Sequence, residues 1–278
     1  MNYIITSATR NYLEFLYEFL FSLFMFGKFD GIVKILYYYE DGETFDFIEK
    51  FNSFKNIEFI NKKKKFLIVN QRFVDIKEEL NGLNNNDKVA LYDSDIWFQD
   101  DVSSLFLLDT ENKCYYCTEA VPWFITKKEK NSYFGYANNA LNRFKTNQKK
   151  YRDKIFEIIE KYGSHINGGF LYSSVYVLKN KVNTINQLLL DGVDYLNTLS
   201  LDQLATNIST SLDNDEFIMN TYNYCLTGVN VLNIDLDKLE LNNKKIKVLH
   251  YNERVNPPKV KSFHDFRFIN YYEKLLKE

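Results

Sequence analysis

Two aspartates one residue apart, Asp93 and Asp95, end an apolar run in Asp87-Lys-Val-Ala-Leu-Tyr-Asp-Ser-Asp-Ile-Trp-Phe98. Side chains at i and i+2 of an extended chain point the same way, so both carboxylates leave the end of a buried strand together. Open α/β sheets place their ligands at such strand ends. Hard oxygen donors there suit Mg²⁺ or Mn²⁺, and a divalent ion suits a substrate diphosphate. An isolated Asp-x-Asp is equally the mark of a turn or a helix cap. Its meaning therefore depends on the rest of the chain, above all on Asn167-Gly168-Gly169, Asp213-Asn214-Asp215 and His250-Tyr-Asn252.

The elements that must carry these groups alternate in kind. Residues 3–7 read as a strand and 11–26 as a helix, with Gly27 and Gly31 bracketing the turn into a strand over 32–39. Phe45, Ile48, Phe51 and Phe54 recur at helical spacing over 44–54, a third strand covers 57–60, and a helix over 66–80 precedes the strand over 89–92. Such alternation predicts an α/β fold with a parallel sheet covered on both faces. In the later part, the spacing predicts a helix over 138–162, a turn at Gly168 and Gly169 leading into a strand, and helices over 178–199 and 215–224. Strands over 229–234 and 246–251 and an amphipathic helix over 263–276 complete the reading. No repeat or linker divides the chain, so 1–278 reads as a single domain.

Composition narrows the function classes. Of 278 residues, 45% are hydrophobic and 26% charged, as in ordinary globular proteins. A net charge of −2 argues against a general nucleic-acid binder. Three cysteines form no disulfide framework. Cys114 and Cys117 lie three apart on a strand-like run, hence on opposite sides, and read as reduced thiols of a cytoplasmic protein. The apolar stretch from Tyr12 to Phe26 has no basic leader, and Asn11, Glu14, Glu18 and Ser22 recur at helical spacing as a thin wet stripe. It reads as a helix of the domain rather than a membrane span.

The four motifs, in their order, resemble the retaining glycosyltransferases of the GT-A fold, especially glycosyltransferase family 8, which includes glycogenin and bacterial lipopolysaccharide galactosyltransferases. The resemblance runs from Tyr3 to about Pro258. It implies a Rossmann-like mixed sheet, with 1–110 as the nucleotide-sugar-binding half and 111–278 as the acceptor half with its C-terminal helix. It implies a donor such as UDP-glucose or UDP-galactose, held through Mn²⁺ or Mg²⁺, and a saccharide or glycolipid acceptor. Asp93 and Asp95 match the family's D-x-D, and His250 its late histidine, so these three would ligate the metal. Thr6, Ser7 and Tyr12 match the uracil-holding strand end and tyrosine, and Arg72 the basic residue that approaches the donor. Asn167, Gly168 and Gly169 match the turn against which the donor sugar lies. Asp213-Asn214-Asp215 resembles the family's D-Q-D, with Asn214 shorter than Gln; Asp215 could instead cap a helix, which favours Asp213 as the sugar-binding carboxylate.

The last motif departs from the family pattern. Where the family reads H-x-x-G-x-x-K-P-W, this chain has His250-Tyr-Asn-Glu-Arg-Val-Asn-Pro-Pro258, so Asn256 stands for the lysine that neutralises the leaving phosphate. Arg254 or Lys259 would have to replace it. Two other classes compete. A degenerate sugar-nucleotide or glycan binder without catalysis would explain the altered motif. An aspartate-based phosphohydrolase fits less well, because Trp97 occupies the position such motifs give to Thr or Val. Lys127, Lys128, Lys130, Lys145, Lys149, Lys150, Arg152 and Lys154 enrich the middle of the chain in positive charge. That is the look of a solvated helix face, or of a peripheral contact with an acidic acceptor or the inner face of a membrane.

Overall fold

The structure is a computed structural model that describes residues 1–118, 144, 148–162, 165–192, 201–212, 217–222, 224–225, 240–241 and 243–250. Strands β1 (Asn2–Thr9), β2 (Ile32–Tyr39), β3 (Ile57–Lys63) and β4 (Lys88–Tyr92) are parallel neighbours in the order β3-β2-β1-β4. Helix α1 (Leu13–Met25) follows β1, and α2 (Ile68–Asn81) follows β3. A short β5 (Ile96–Phe98) comes directly after the aspartate pair, then β6 (Tyr115–Thr118), helix α3 (Gln148–Tyr162) and β7 (Ile166–Ser174). Helices α4 (Val175–Leu190) and α5 (Leu201–Leu212) precede β8 (Phe217–Ile218), β9 (Tyr224–Cys225), the hairpin β10 (Glu240–Leu241) with β11 (Lys244–Lys245), and β12 (Val248–His250). The main sheet continues from β4 through β7 and β6 to β8, with β7 antiparallel to both β4 and β6. The alternation predicted the parallel part, β3-β2-β1-β4, and the resemblance the mixed sheet that β7 makes of it.

Period-two alternation sorts the side chains into two layers. Tyr3 and Ile5 of β1 and Val89 and Leu91 of β4 join the core formed with α2, α3, α4 and α5. Ile4 and Ala8, with Ala90 and Tyr92, join the opposite core, which α1 covers through Leu16, Phe19, Leu20 and Leu23. Burying each such side chain contributes about 1.5–3 kcal/mol. Cys114, just before β6, falls in the first layer and Cys117, on β6, in the second, and neither is in a disulfide.

Two local features bring the later chain to the early strand ends. Because β1 has β2 on one side and β4 on the other, the winding reverses between β1 and β4, opening a crevice beyond their carboxyl ends. A second, three-stranded sheet, β5-β12-β9, pairs His250 with Ile96 and so sets the histidine beside Asp95.

Several expectations are corrected. The wet stripe on α1 does not exist as read: Glu18 is 8% exposed and Ser22 0%. The Ser22 hydroxyl accepts the Phe98 N–H at 3.1 Å, tying α1 to β5, which is work a buried polar group can do. Residues 46–51 form 3₁₀ turns rather than an α-helix, and Phe47 and Phe51 are what they bury. Phe144 makes an isolated bridge with Gly192, so the helix expected from 138 does not run through it. Gly168 and Gly169 lie inside β7 rather than in a turn before it. In place of a helix over 215–224 stand β8, a 3₁₀ turn at Asn220–Tyr222 and β9. Helix α5 was not foreseen. No helix among the described residues is long and apolar enough to cross a membrane.

Candidate active site

Asp93 continues the parity of Val89 and Leu91 and turns toward α2, while Asp95 starts the path into β5. With His250 they form a cluster whose ligand atoms all lie within 4.8 Å of one another. The His250 Nε2 is 3.3 Å from Asp95 Oδ1 and 3.6 Å from Asp93 Oδ2, and the imidazole is 3% exposed. Gly169 closes the corner. Its carbonyl accepts the Asp93 N–H at 3.1 Å, and a Cβ there would stand 2.4 Å from Asp93 Oδ2 and 2.6 Å from His250 Cε1. Only a residue without a side chain leaves the two ligand groups room. Two carboxylates and one imidazole nitrogen, converging from three strand ends, are a donor set that fits Mn²⁺ or Mg²⁺.

Arg72 reaches the same corner from α2. Its guanidinium pairs with Asp93 Oδ1, donates to the Gly168 carbonyl at 3.1 Å, and donates to Asp202 Oδ2 at 3.0 Å. Burial opposes its charge, but Asp93 and Asp202 outweigh that and push its pKa further up. One planar fork thus ties β4, β7 and the first turn of α5 together.

Around this corner lies a cleft of about 360 Å³. Ser7, Ala8, Thr9 and Tyr12 line it from the end of β1 and the turn after it. Lys64, Leu67, Ile68 and Val69 line it from the approach to α2. Asn167, Gly168, Gly169, Asp202 and Gln203 contribute from β7 and α5. The Asn167 side chain is shaped from within, its Oδ1 accepting the Gly169 N–H at 2.8 Å. A Cβ on Gly168 would meet Gln203 Cα at 3.3 Å, so this glycine lets α5 begin close against β7.

Most expected site residues converge here: Asp93, Asp95, His250, Asn167, Gly168, Gly169, Arg72, Ser7 and Tyr12 all line the one cleft. Thr6 does not; it is 2% exposed and borders a small void of about 10 Å³ that Arg72 and Asp93 also border. Asp213, Asn214, Arg254 and Lys259 lie outside the described residues, as do Lys127, Lys128, Lys130 and Lys145. Asp202 and Gln203 were missed by sequence reasoning. Their signal was present: an Asp-Gln pair opening a segment whose Leu201, Leu204, Ala205 and Ile208 recur at helical spacing.

The sequence matches no family model and no curated protein. Solved structures do match. The galactosyltransferase LgtC, in complex with donor and acceptor sugar analogues, superposes with a TM-score of 0.51 at 13% identity, over 90% of this chain and 87% of that one. A structure of LgtC carrying an active-site Gln-to-Glu substitution gives a TM-score of 0.53 at 14% identity over the same shares. The order of strands, the crevice between β1 and β4 and these superpositions agree: the chain has the GT-A fold of glycosyltransferase structures.

Proposed function

We propose that the chain is a metal-dependent glycosyltransferase that moves a hexose from a nucleotide-sugar, UDP-glucose or UDP-galactose, to a hydroxyl of a saccharide or glycolipid acceptor. The observation that carries this reading is the convergence of Asp93, Asp95 and His250 within 4.8 Å, in a cleft at the sheet's switch point. A divalent ion held there would stabilise the charge that develops on a departing diphosphate.

The chain's own side chains take the remaining roles. Ser7 and Tyr12 hold the nucleotide, with the tyrosine ring offering a face for the base. Asn167 and Asp202 accept hydrogen bonds from the sugar hydroxyls, and Gly168 and Gly169 leave bare backbone for the sugar to approach. Asp202 thus takes the place that the family pattern suggested for Asp213. Gln203 lines this cleft, and an active-site glutamine in LgtC supports giving it the role that the resemblance implies for the middle residue of D-Q-D, on the sugar face opposite the leaving group. Arg72 keeps Asp202 in register with the metal corner. Retention of configuration is proposed with the same resemblance.

Thermal unfolding with UDP, UDP-glucose and UDP-galactose, each with Mn²⁺ and with EDTA, tests the reading. Ligand at a hundred times its Kd stabilises by about 2.7 kcal/mol, a shift of several degrees. Asp95→Asn should remove the Mn²⁺-dependent part of the shift and lower UDP release from the donor at least 100-fold. Equal shifts for Asp95→Asn and wild type would sink the metal assignment. The second reading, a binder without turnover, is favoured by Asn256 in the place of the phosphate-neutralising lysine. It predicts the Mn²⁺-dependent shift with no UDP released.

A further inference from the structure

The connection from β3 to α2 reads Lys62-Lys63-Lys64-Lys65-Phe66-Leu67, and Lys64 lines the cleft. Its backbone is held on both sides. Gln71, 3% exposed, accepts the N–H of Lys65 at 2.8 Å and of Phe66 at 3.3 Å, and donates to the Lys63 carbonyl at 3.0 Å. The Lys64 N–H donates to the Tyr39 carbonyl at 2.9 Å. What can swing is the Lys64 side chain.

Lys62 and Lys63 are engaged elsewhere. Lys62 pairs with Glu78 at 2.9 Å, Lys63 pairs with Asp41 at 2.8 Å, and neither lines the cleft. Lys64 pairs with Glu40, whose side chain is 62% exposed. Such an exposed pair contributes about 0–1 kcal/mol, so a substrate anion can displace Glu40 at little cost. The same wall carries a second source of positive potential. Leu67 begins α2 without a side-chain cap, and Ile68 and Val69, whose amides open the helix, also line the cleft. The other cation lining the cleft among the described residues, Arg72, is already balanced by Asp93 and Asp202.

We propose that Lys64 is an anion-binding residue of this cleft, releasing Glu40 to take an anionic oxygen group of the substrate. This rests on the glycosyl-transfer reading and deepens it. The anion has two sources, the donor's diphosphate or an acidic group on the acceptor. The first would place Lys64 in the role left open by Asn256; the second would make the enzyme selective for acidic sugars.

The test measures binding of UDP with Mn²⁺, and donor-dependent transfer to galacturonate against galactose, for wild type, Lys64→Ala, Lys64→Arg and Glu40→Gln. Lys64→Ala should either weaken UDP about tenfold, marking the donor, or abolish a preference for galacturonate while UDP binding stays level, marking the acceptor. Lys64→Arg should restore most of whichever effect is lost, Glu40→Gln should strengthen it, and the effect should shrink at high salt. Wild type that binds UDP, with Lys64→Ala indistinguishable from it in both arms, overturns the Lys64 role alone. Wild type that ignores UDP with Mn²⁺ overturns the glycosyl-transfer reading beneath it.

Discussion

Helices α1 and α2 cover opposite faces of the same parallel strands, yet they bury different chemistry. The buried side of α1 is Leu16, Phe19, Leu20 and Leu23, with Glu18 and Ser22. The buried side of α2 includes Asn70, Gln71, Arg72 and Asp75 beside Phe73, Ile76 and Leu80. On α1 one of the two polar exceptions, Ser22, ties the helix to β5. On α2 the polar groups organise a cavity: Arg72 locks the aspartates, and Gln71 shapes the rim and donates to Asp75 at 3.2 Å. Burial and the nearby Asp75 push the Tyr38 hydroxyl pKa far up in the same layer, which keeps that group neutral. One helix buries a mostly apolar face and the other brings paired polar side chains to a cleft, and the burial of polar side chains tells them apart.

Substitutions can break that distinction or sharpen it. Arg72→Met should have the largest effect, because it leaves Asp93 and Asp202 facing each other without their cation. Breaking such a buried pair costs about 3–5 kcal/mol, and the Mn²⁺-UDP thermal shift should vanish with it. Phe19→Ala should cost about 3–5 kcal/mol as well, since it also loses the edge contact with Phe98 at 5.2 Å between ring centroids. Here the UDP shift should survive; chemical denaturation with and without ligand separates the two outcomes. Loss of the shift in both variants would erase the contrast between the helices.

Ser22→Ala should cost about 1–3 kcal/mol by leaving the Phe98 N–H unpaired, with nucleotide binding unchanged. The smallest effect belongs to Lys34 on β2, which reaches Glu79 on the outer side of α2 and Glu58 on β3, both at 3.3 Å. Burial lowers its pKa, but hydrogen bonds to both glutamates outweigh that, and the net shift is upward. A raised lysine pKa contributes stability that is fully present below the unfolded value of about 10.4 and is lost as pH rises through the folded value. Lys34→Met should therefore cost about 0–1 kcal/mol at neutral pH, and the gap to wild type should close as the pH rises through the raised folded value. A gap independent of pH would assign the loss to packing of the stem.

The parallel half of the fold was legible because each element repeats one period: the alternation of Tyr3, Ile4 and Ile5, and of Val89, Ala90 and Leu91, names both the strand and its faces. The cluster of Asp93, Asp95 and His250 was legible because the two aspartates are close in sequence and His250 follows in a recognisable order. What failed were inferences from polarity alone. Ser22 looks solvated until β5 is known to need an acceptor, and Gly168 looks like a turn until α5 is known to press on it. Asp202 was overlooked for a related reason. Its importance lies in a contact with Arg72 that links α2 to α5, and the helical spacing that marks its segment does not announce that contact. Asp213-Asn-Asp215, singled out by its resemblance to D-Q-D, lies outside the described residues, whereas Asp202-Gln203 stands in the cleft.

The thiols of Cys114, just before β6, and Cys117, on it, carry a practical consequence. Cys114 and Cys117 sit in opposite layers, both buried, and burial holds the Cys117 thiol pKa well above its ordinary value. Neither should react with an alkylating reagent until its own side of the sheet opens. In a Cys225→Ser background, timed alkylation read by peptide mass would report separately on the layer with α2 and the layer with α1. The chain thus carries two internal clocks, one for each layer of the sheet.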